Sequence, residues 1–157
     1  MVRLADLPEW EQEHMRDKTR EIAGFGARPW KKPLPLKRLR IAIVTTAGLH
    51  RRGDRPFGPG ATALDYRVIP GDTPASELVM SHQSVNFDRS GFQEDHNVVF
   101  PIDRLRELAA AGAIKAVADF HYSFMGAAPI KKLAPKAKEL AGLLKKDKVD
   151  AVLLCPV

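Results

Sequence analysis

The feature that most constrains this chain is the way short apolar runs alternate with helical repeats. Residues 40–46 (Arg-Ile-Ala-Ile-Val-Thr-Thr) are continuous and rich in β-branched side chains. Such a run suits a central parallel strand buried on both faces. From Pro101 onward, Ile102, Leu105, Leu108 and Ala109 recur at helical spacing, with Pro101 in the first turn and Gly112 placed as a C-terminal cap. Residues 116–121 read as a second strand. Ile130, Leu133, Ala137, Leu140 and Leu144 then step by three and four along an amphipathic helix that reaches Lys146. Pro135 is expected to mark its true first turn, after a short preceding turn. Residues 149–154 (Val-Asp-Ala-Val-Leu-Leu) read as a third, buried strand. This order belongs to a parallel sheet with crossover helices. The expected fold class is α/β: a small parallel sheet, the N-terminal half of a larger Rossmann-like, doubly wound domain.

The chain before residue 40 has a different character. Residues 8–23 are rich in helix formers and start at Leu7-Pro8-Glu9, with acids near the positive end of the helix dipole. Trp10, Met15 and Ile22 do not share one tight face, so the helix reads as a peripheral arm. Pro29, Pro33 and Pro35 make residues 24–37 an extended connector. Residues 1–39 are thus read as a helix and Pro-rich arm, and residues 40–157 as the α/β domain, truncated at its C-terminus. Between Ala47 and Val98 periodicity is sparse: residues 48–60 form a loop of Gly, Pro and Arg, and residues 66–69 and 78–82 carry strand signals. Long irregular stretches in a compact domain tend to be functional.

The net charge of +6 is concentrated in residues 1–40 and 101–157. Lys131, Lys132, Lys136, Lys138, Lys145 and Lys146 fall along the expected second helix, where a solvated polar face accounts for them. No aromatic residues alternate with them as a base-stacking surface requires, so nucleic acid is not an expected partner. No run approaches the roughly 20 apolar residues that span a bilayer. The first residues lack the apolar core of a secretory signal. The reading is a cytoplasmic protein without a membrane partner. A single cysteine, Cys155, excludes an internal disulfide framework and a multi-cysteine zinc site.

Ligands in open α/β sheets bind beyond the carboxyl ends of the strands. Residues 45–50, residues 121–125 and the segment from Cys155 onward should therefore converge. The first of these loops offers His50, Arg51, Arg52, Asp54 and Arg55 among glycines. It is either a carboxylate cradle with bidentate arginines or a solvated surface loop. Neither a dinucleotide fingerprint nor a phosphate-binding loop is present, so no nucleotide is expected. His82, Asn86, Asp88 and Arg89 crowd into one segment, which suits substrate positioning and proton transfer. Turn building explains the same composition without function. His14 and His96 read as exposed singletons, and His121 as a core histidine at a strand end. No compact histidine spacing occurs, so no metal is expected. Cys155 is either a buried core thiol or a redox thiol at the cleft.

Several segments, taken in order, resemble a known family. They are residues 97–108 (Asn-Val-Val-Phe-Pro-Ile-Asp-Arg-Leu-Arg-Glu-Leu), Gly112-Ala113-Ile114, residues 122–126 (Tyr-Ser-Phe-Met-Gly) and residues 149–154. Residues 45–48 (Thr-Thr-Ala-Gly) and the stretch from Ser81-His82 to Asp88-Arg89 fit the same pattern. The chain from about residue 40 to 157 resembles the selenoprotein B subunit of the glycine, sarcosine, betaine and D-proline reductases. The resemblance implies a selenocysteine, or cysteine in some relatives, a few residues after the strand at 149–154. A UGA codon read as a stop would end a translation there, so a selenocysteine is expected immediately after Val157, with Cys155 in C-x-x-U spacing. Reductive cleavage of a C–N bond in a small amino acid or N-methylated derivative is the implied chemistry. The implied partners are other reductase subunits, one supplying a carbonyl-type cofactor, and thiol or selenol carrier proteins.

On this reading Cys155, His82 and Asp88 are the catalytic candidates, and the chain without selenium is inactive. His50, Arg51, Arg52, Asn86 and Arg89 would hold the amine substrate's carboxylate. The alternative is a self-contained small α/β module that binds an anion or a partner without catalysis. The fragment reading expects an exposed apolar edge beside residues 151–154, whereas the module expects that strand to be capped.

Overall fold

The computed structural model describes residues 3–20, 31–59, 62–84, 87–126 and 128–157. The chain divides into two compact units, Met1–Pro33 and Leu34–Val157. In the first, helix α1 (Glu9–Arg20) begins directly after Pro8, with Glu9 and Glu11 in its first turn. Trp10 and Met15 are exposed, as a thin apolar stripe dictates. Residues 21–23 of the expected helix and 24–30 of the expected connector lie outside the described residues. Residues 31–35 have no regular structure, and a single 3-10 turn, Leu36–Arg38, precedes the sheet.

The second unit is built around strand β1 (Arg40–Thr45). Strand β7 (Ala151–Cys155) runs parallel along one side of it, in register from Ile41↔Ala151 to Thr45↔Cys155. The other side is shared by β5 (Ala116–Val117) and β6 (Phe120–Ser123), both also parallel to β1. Strand β3 (Arg67–Pro70) closes the outer side of β6 in antiparallel register. Strands β2 (Leu49–Arg51) and β4 (Leu78–Met80) form a separate antiparallel ribbon. Helix α2 (Ser90–Glu94) is short, α3 (Ile102–Ala110) leads into β5, and α4 (Ile130–Lys146) leads into β7. Gly112 has φ +70° just beyond α3, the left-handed position expected of a C-terminal cap.

Alternation along β1 separates two cores. Ile41 and Ile43 face a cluster containing Phe100, Ile102 and Leu105, which puts α3 on that side. Val44 faces Tyr122, Phe124 and Leu140, which puts α4 on the other. Strand β1 is therefore covered on both faces, as its unbroken apolar run requires.

Four expectations are corrected. The strand at residues 116–121 is really two, because Asp147 Oδ2 accepts hydrogen bonds from the Asp119 and Phe120 N–H groups (3.2 and 3.3 Å), drawing them off β1. Helix α4 starts at Ile130 and runs straight through Pro135. Proline deprives the Lys131 carbonyl of its usual donor, but both residues are exposed, so solvent can reach it. The loop at residues 48–60 contributes β2, with Gly60 outside the described residues. The last strand is not buried: Val152, Leu153 and Leu154 are exposed, because among the described residues β7 has a neighbour on one side only.

A polar cluster fixes the amino end of the sheet. The Arg40 guanidinium meets Asp147 at 2.5 Å and Asp119 at 3.0 Å, and donates to the Val117 carbonyl at 3.1 Å. The Arg40 N–H donates to Asp150 Oδ2 at 2.9 Å. The Arg40 side chain thereby ties the ends of β5 and α4 to the start of β1, and its backbone N–H ties in the start of β7, leaving the opposite end free for chemistry.

Candidate functional site

In chain order, the sheet steps from β1 to β5 and β6 on one side, then back across β1 to β7 on the other. Helices α3 and α4 accompany these two steps on opposite faces. The gap between β1 and β7 is therefore a topological switch point, and a crevice opens at the carboxyl ends of strands there. Thr45, Thr46 and Cys155 to Val157 line that position.

Hydroxyls hold it together. Thr46 Oγ1 accepts from the Val157 N–H at 2.8 Å and donates to the Val157 carbonyl at 3.3 Å. The Cys155 carbonyl accepts from Thr46 N–H at 3.1 Å and Thr45 Oγ1 at 3.3 Å. Gly126 closes the other wall. A Cβ there would lie 2.8 Å from the Val157 oxygen and 3.2 Å from the Thr46 oxygen, both backbone atoms. The Cys155 side chain is half-buried against the α3-side core, and burial pushes its thiol up from the usual value. At neutral pH it is a thiol, not a thiolate.

The β2–β4 ribbon brings the two polar segments together, His50 lying opposite Val79 and Leu49 opposite Met80. His50 is buried; its Nδ1 lies 2.9 Å from the Arg51 carbonyl and its Nε2 lies 2.7 Å from Ser81 Oγ. Both ring nitrogens are thus engaged within the chain. His82 is also buried and meets the Phe87 ring at a tilt, with centroids 4.8 Å apart. Its Nδ1 accepts from the Ser84 N–H at 3.2 Å, so the proton sits on Nε2, which has no partner among the described residues. Burial, with the Arg89 charge second, pulls the His82 pKa below the ordinary histidine value. This imidazole is a neutral donor.

The remaining candidates are more dispersed. Asp88 Oδ1 accepts from Ser90 N–H (2.9 Å) and Ser90 Oγ (2.8 Å), which hold its carboxyl below the usual range and make it the lead-in to α2. Arg89 donates to the His82 carbonyl. Arg51 pairs loosely with Asp54 at 3.9 Å. Arg52 turns to the Ser76 carbonyl at 3.1 Å and to Glu77 at 3.9 Å. Asn86 lies outside the described residues. His121 is fully buried beneath Phe100, a core histidine as expected. Among the described residues no three His, Cys, Asp or Glu side chains gather as a metal ion would need.

Sequence reasoning missed a clamp. Arg67, at the start of β3, donates to the carbonyls of Arg55 (2.7 Å), Tyr66 (3.0 Å) and Pro56 (3.1 Å) and lies 4.4 Å over the Phe57 ring. It pins the arginine loop beside the carboxyl end of β6, where Phe57 and Ala63 pack on Met125. A shallow cleft of about 510 Å³ lies there, with Arg51, Arg55 and Arg67 in its wall. No local signal marks Arg67, because its partners are carbonyls. The larger cavity, about 660 Å³, is lined by Gly71, Arg106 and Phe120 at the amino end of β6, and no candidate residue lines it.

These features define a class: an α/β protein of doubly wound type, with its polar machinery at the carboxyl end of a central strand. Comparison with known proteins makes the assignment particular. The family model for glycine/sarcosine/betaine reductase selenoprotein B matches residues 21–156, and the chain belongs to that family. It is 40% identical over 121 residues to D-proline reductase subunit gamma of Acetoanaerobium sticklandii, covering 76% of this chain and 49% of that protein. It is 30% identical to glycine reductase complex component B subunit gamma of Symbiobacterium thermophilum. The same identity holds to betaine reductase complex component B subunit beta of Peptoclostridium acidaminophilum; each match covers 76% of this chain and 28% of the relative. The chain thus spans half or less of the length of these relatives. No solved structure matches it. Among the described residues, no helix is long and apolar enough to cross a membrane.

Proposed function

We propose that this chain is the substrate-handling part of a selenocysteine-dependent reductase subunit. It cleaves the C–N bond of a small amino acid or N-methylated derivative in the cytoplasm, together with other reductase subunits and thiol or selenol carriers. One observation carries the reading: the reductase family model matches this chain from residue 21 to 156.

In the full-length subunit a selenocysteine follows Val157. The residues present fit it, since Thr46 grips the Val157 backbone at the crevice and Gly126 leaves out the Cβ that would crowd it. When present, this group supplies a nucleophile that is ionised at neutral pH. The chain's own residues do the rest. The arginine loop, pinned by Arg67 and carrying Arg51 and Arg52, holds the substrate carboxylate together with Asn86 and Arg89. His82 offers its Nε2–H to a substrate oxygen, and Asp88 stays ionised and fixes the turn into α2. Cys155, three residues before the selenium, would act as its resolving thiol only on losing the proton that burial holds on the sulfur. The bare outer edge of β7 is where further polypeptide pairs. Without the selenium the 157 residues are inactive.

The test has two parts. The nucleotides after codon 157 should read UGA followed by a long open frame; UAA or UAG with no continuing frame removes the selenium reading. The full-length subunit, combined with its partner subunits and a dithiol, should then release amine or a ring-opened product from D-proline, glycine, sarcosine or betaine. Failure with all four overturns the proposed activity.

A further inference from the structure

His50 and Ser81 are 31 residues apart, yet the ribbon sets them within hydrogen-bond distance, 2.7 Å. The Arg51 carbonyl, 2.9 Å from Nδ1, can only accept, so Nδ1 carries the imidazole proton. Nε2 is then a lone pair, and the Ser81 hydroxyl donates to it at 2.7 Å. Nucleophilic hydroxyl, base and orienting acceptor stand in series, the geometry by which a weak hydroxyl is activated. The backbone fixes Ser81 through its N–H to the Gly48 carbonyl, 2.9 Å. Gly48 itself, at φ +66°, permits this approach: a Cβ there would lie 3.1 Å from the His82 nitrogen. His50 is 4% exposed, while Ser81 is half-buried and so reachable from outside. The next residue, His82, presents a second neutral imidazole of the opposite kind, an Nε2–H donor with no partner among the described residues.

We infer that Ser81 and His50 form the proton relay of this site, receiving a proton from the ammonium group of a primary or secondary amine substrate. This rests on the proposed reductase reading and deepens it. An ammonium nitrogen has no lone pair, so it cannot add to an electrophilic carbonyl until it loses a proton. In the relay, one N–H proton passes to Ser81 Oγ as the Oγ–H proton passes to His50 Nε2. The products are a free amine and an imidazolium whose Nδ1–H still rests on the Arg51 carbonyl. The positive charge moves from substrate to His50, and no electrons change hands. A quaternary ammonium has no such proton to give, so the pair marks the substrate as an amine bearing at least one N–H. His82 Nε2–H holds the substrate oxygen beside it.

The relay is testable on this chain without selenium, substrate or partner, so its failure is distinct from failure of the reductase reading. An aryl sulfonyl fluoride reports the activated hydroxyl: Ser81 Oγ bonds to sulfur, fluoride leaves, and His50 Nε2 takes the proton. Peptide mass spectrometry should show Ser81 labelled about 100-fold faster than exposed Ser76, the scale of general-base assistance. His50→Gln should bring Ser81 down to the Ser76 rate with the circular-dichroism melt retained, and Ser81→Ala should abolish the label. The ¹⁵N spectrum of the unaltered chain should also show His50 protonated at Nδ1 and bare at Nε2, a readout that needs no variant to fold. Labelling of Ser81 no faster than Ser76, an unchanged rate in His50→Gln, or a proton on His50 Nε2 would each overturn the relay.

Discussion

Replacing His121 tests how the split between β5 and β6 is tolerated. Between these strands no carbonyl is available to the Ile43 N–H of β1, and His121 Nδ1 accepts from it at 2.9 Å instead. That acceptor role requires a neutral ring. His121 is completely buried, its Nε2 has no partner among the described residues, and burial pulls its pKa down to about 4 from 6.5. The unfolded chain therefore takes up a proton as the pH falls through about 6.5, whereas the folded chain resists until about 4. Stability from this residue is intact above about 6.5 and is lost between there and about 4. Each pH unit across that window removes about 1.4 kcal/mol, so the loss is about 2 kcal/mol from pH ~7 to pH ~5 and about 3 kcal/mol by pH ~4.

His121→Gln keeps an oxygen to accept from Ile43 but cannot titrate. Urea unfolding of both proteins at the two higher pH values should show the slope largely removed in the variant. The residual slope belongs to His82, whose pKa is lowered in the same direction. His121→Leu should cost a further 1–3 kcal/mol, roughly, at every pH, because the Ile43 N–H is then buried without a partner. If His121→Gln loses as much stability as the parent between pH ~7 and pH ~5, burial of this ring is not the source of the acid sensitivity.

Other perturbations probe the two ends of the sheet. Thr46→Val removes both contacts to Val157 while keeping shape, and should cost about 1 kcal/mol with faster amide exchange at Val157; unchanged exchange would refute the latch. Gly126→Ala forces a Cβ to 2.8 Å from the Val157 oxygen, and a melt lowered by about 1–3 kcal/mol of stability is expected. Arg40→Ala strands the Asp147 carboxylate, whose side chain is only 11% exposed, so urea unfolding should show a loss of about 3 kcal/mol. Leu154, 69% exposed on the edge strand, should be replaceable by lysine with no loss of fold; light scattering should then show weaker self-association at high concentration.

Much of the architecture was legible in the sequence, because it rests on local periodicity. The β-branched run at residues 40–46 became the central strand, and the three-four steps from Ile102 and Ile130 became the two crossover helices. Gly112 took the left-handed position its place predicted. Where reading failed, a distant group had intervened. The strand at residues 116–121 is split by a carboxylate from residue 147, and the helix through Pro135 survives because water can serve the orphaned carbonyl. At the site, the crowded segments were visible as composition, but the partners within them were not. His50 read as a substrate contact, yet both of its nitrogens are engaged inside the chain. Ser81 and Thr46 counted only as members of matching segments, since a hydroxyl's meaning lies in what it faces.

The sequence by itself determined the α/β class, the order of its elements and the family, because apolar spacing and motif order are written along the chain. Only the tertiary structure decided that β7 returns to the flank of β1, that His50 meets Ser81, and that His121 stands in for a missing carbonyl. Those choices join residues 31 to 111 positions apart. Backbone groups buried in a sheet must find partners wherever the fold supplies them, and no local pattern specifies which side chain will answer.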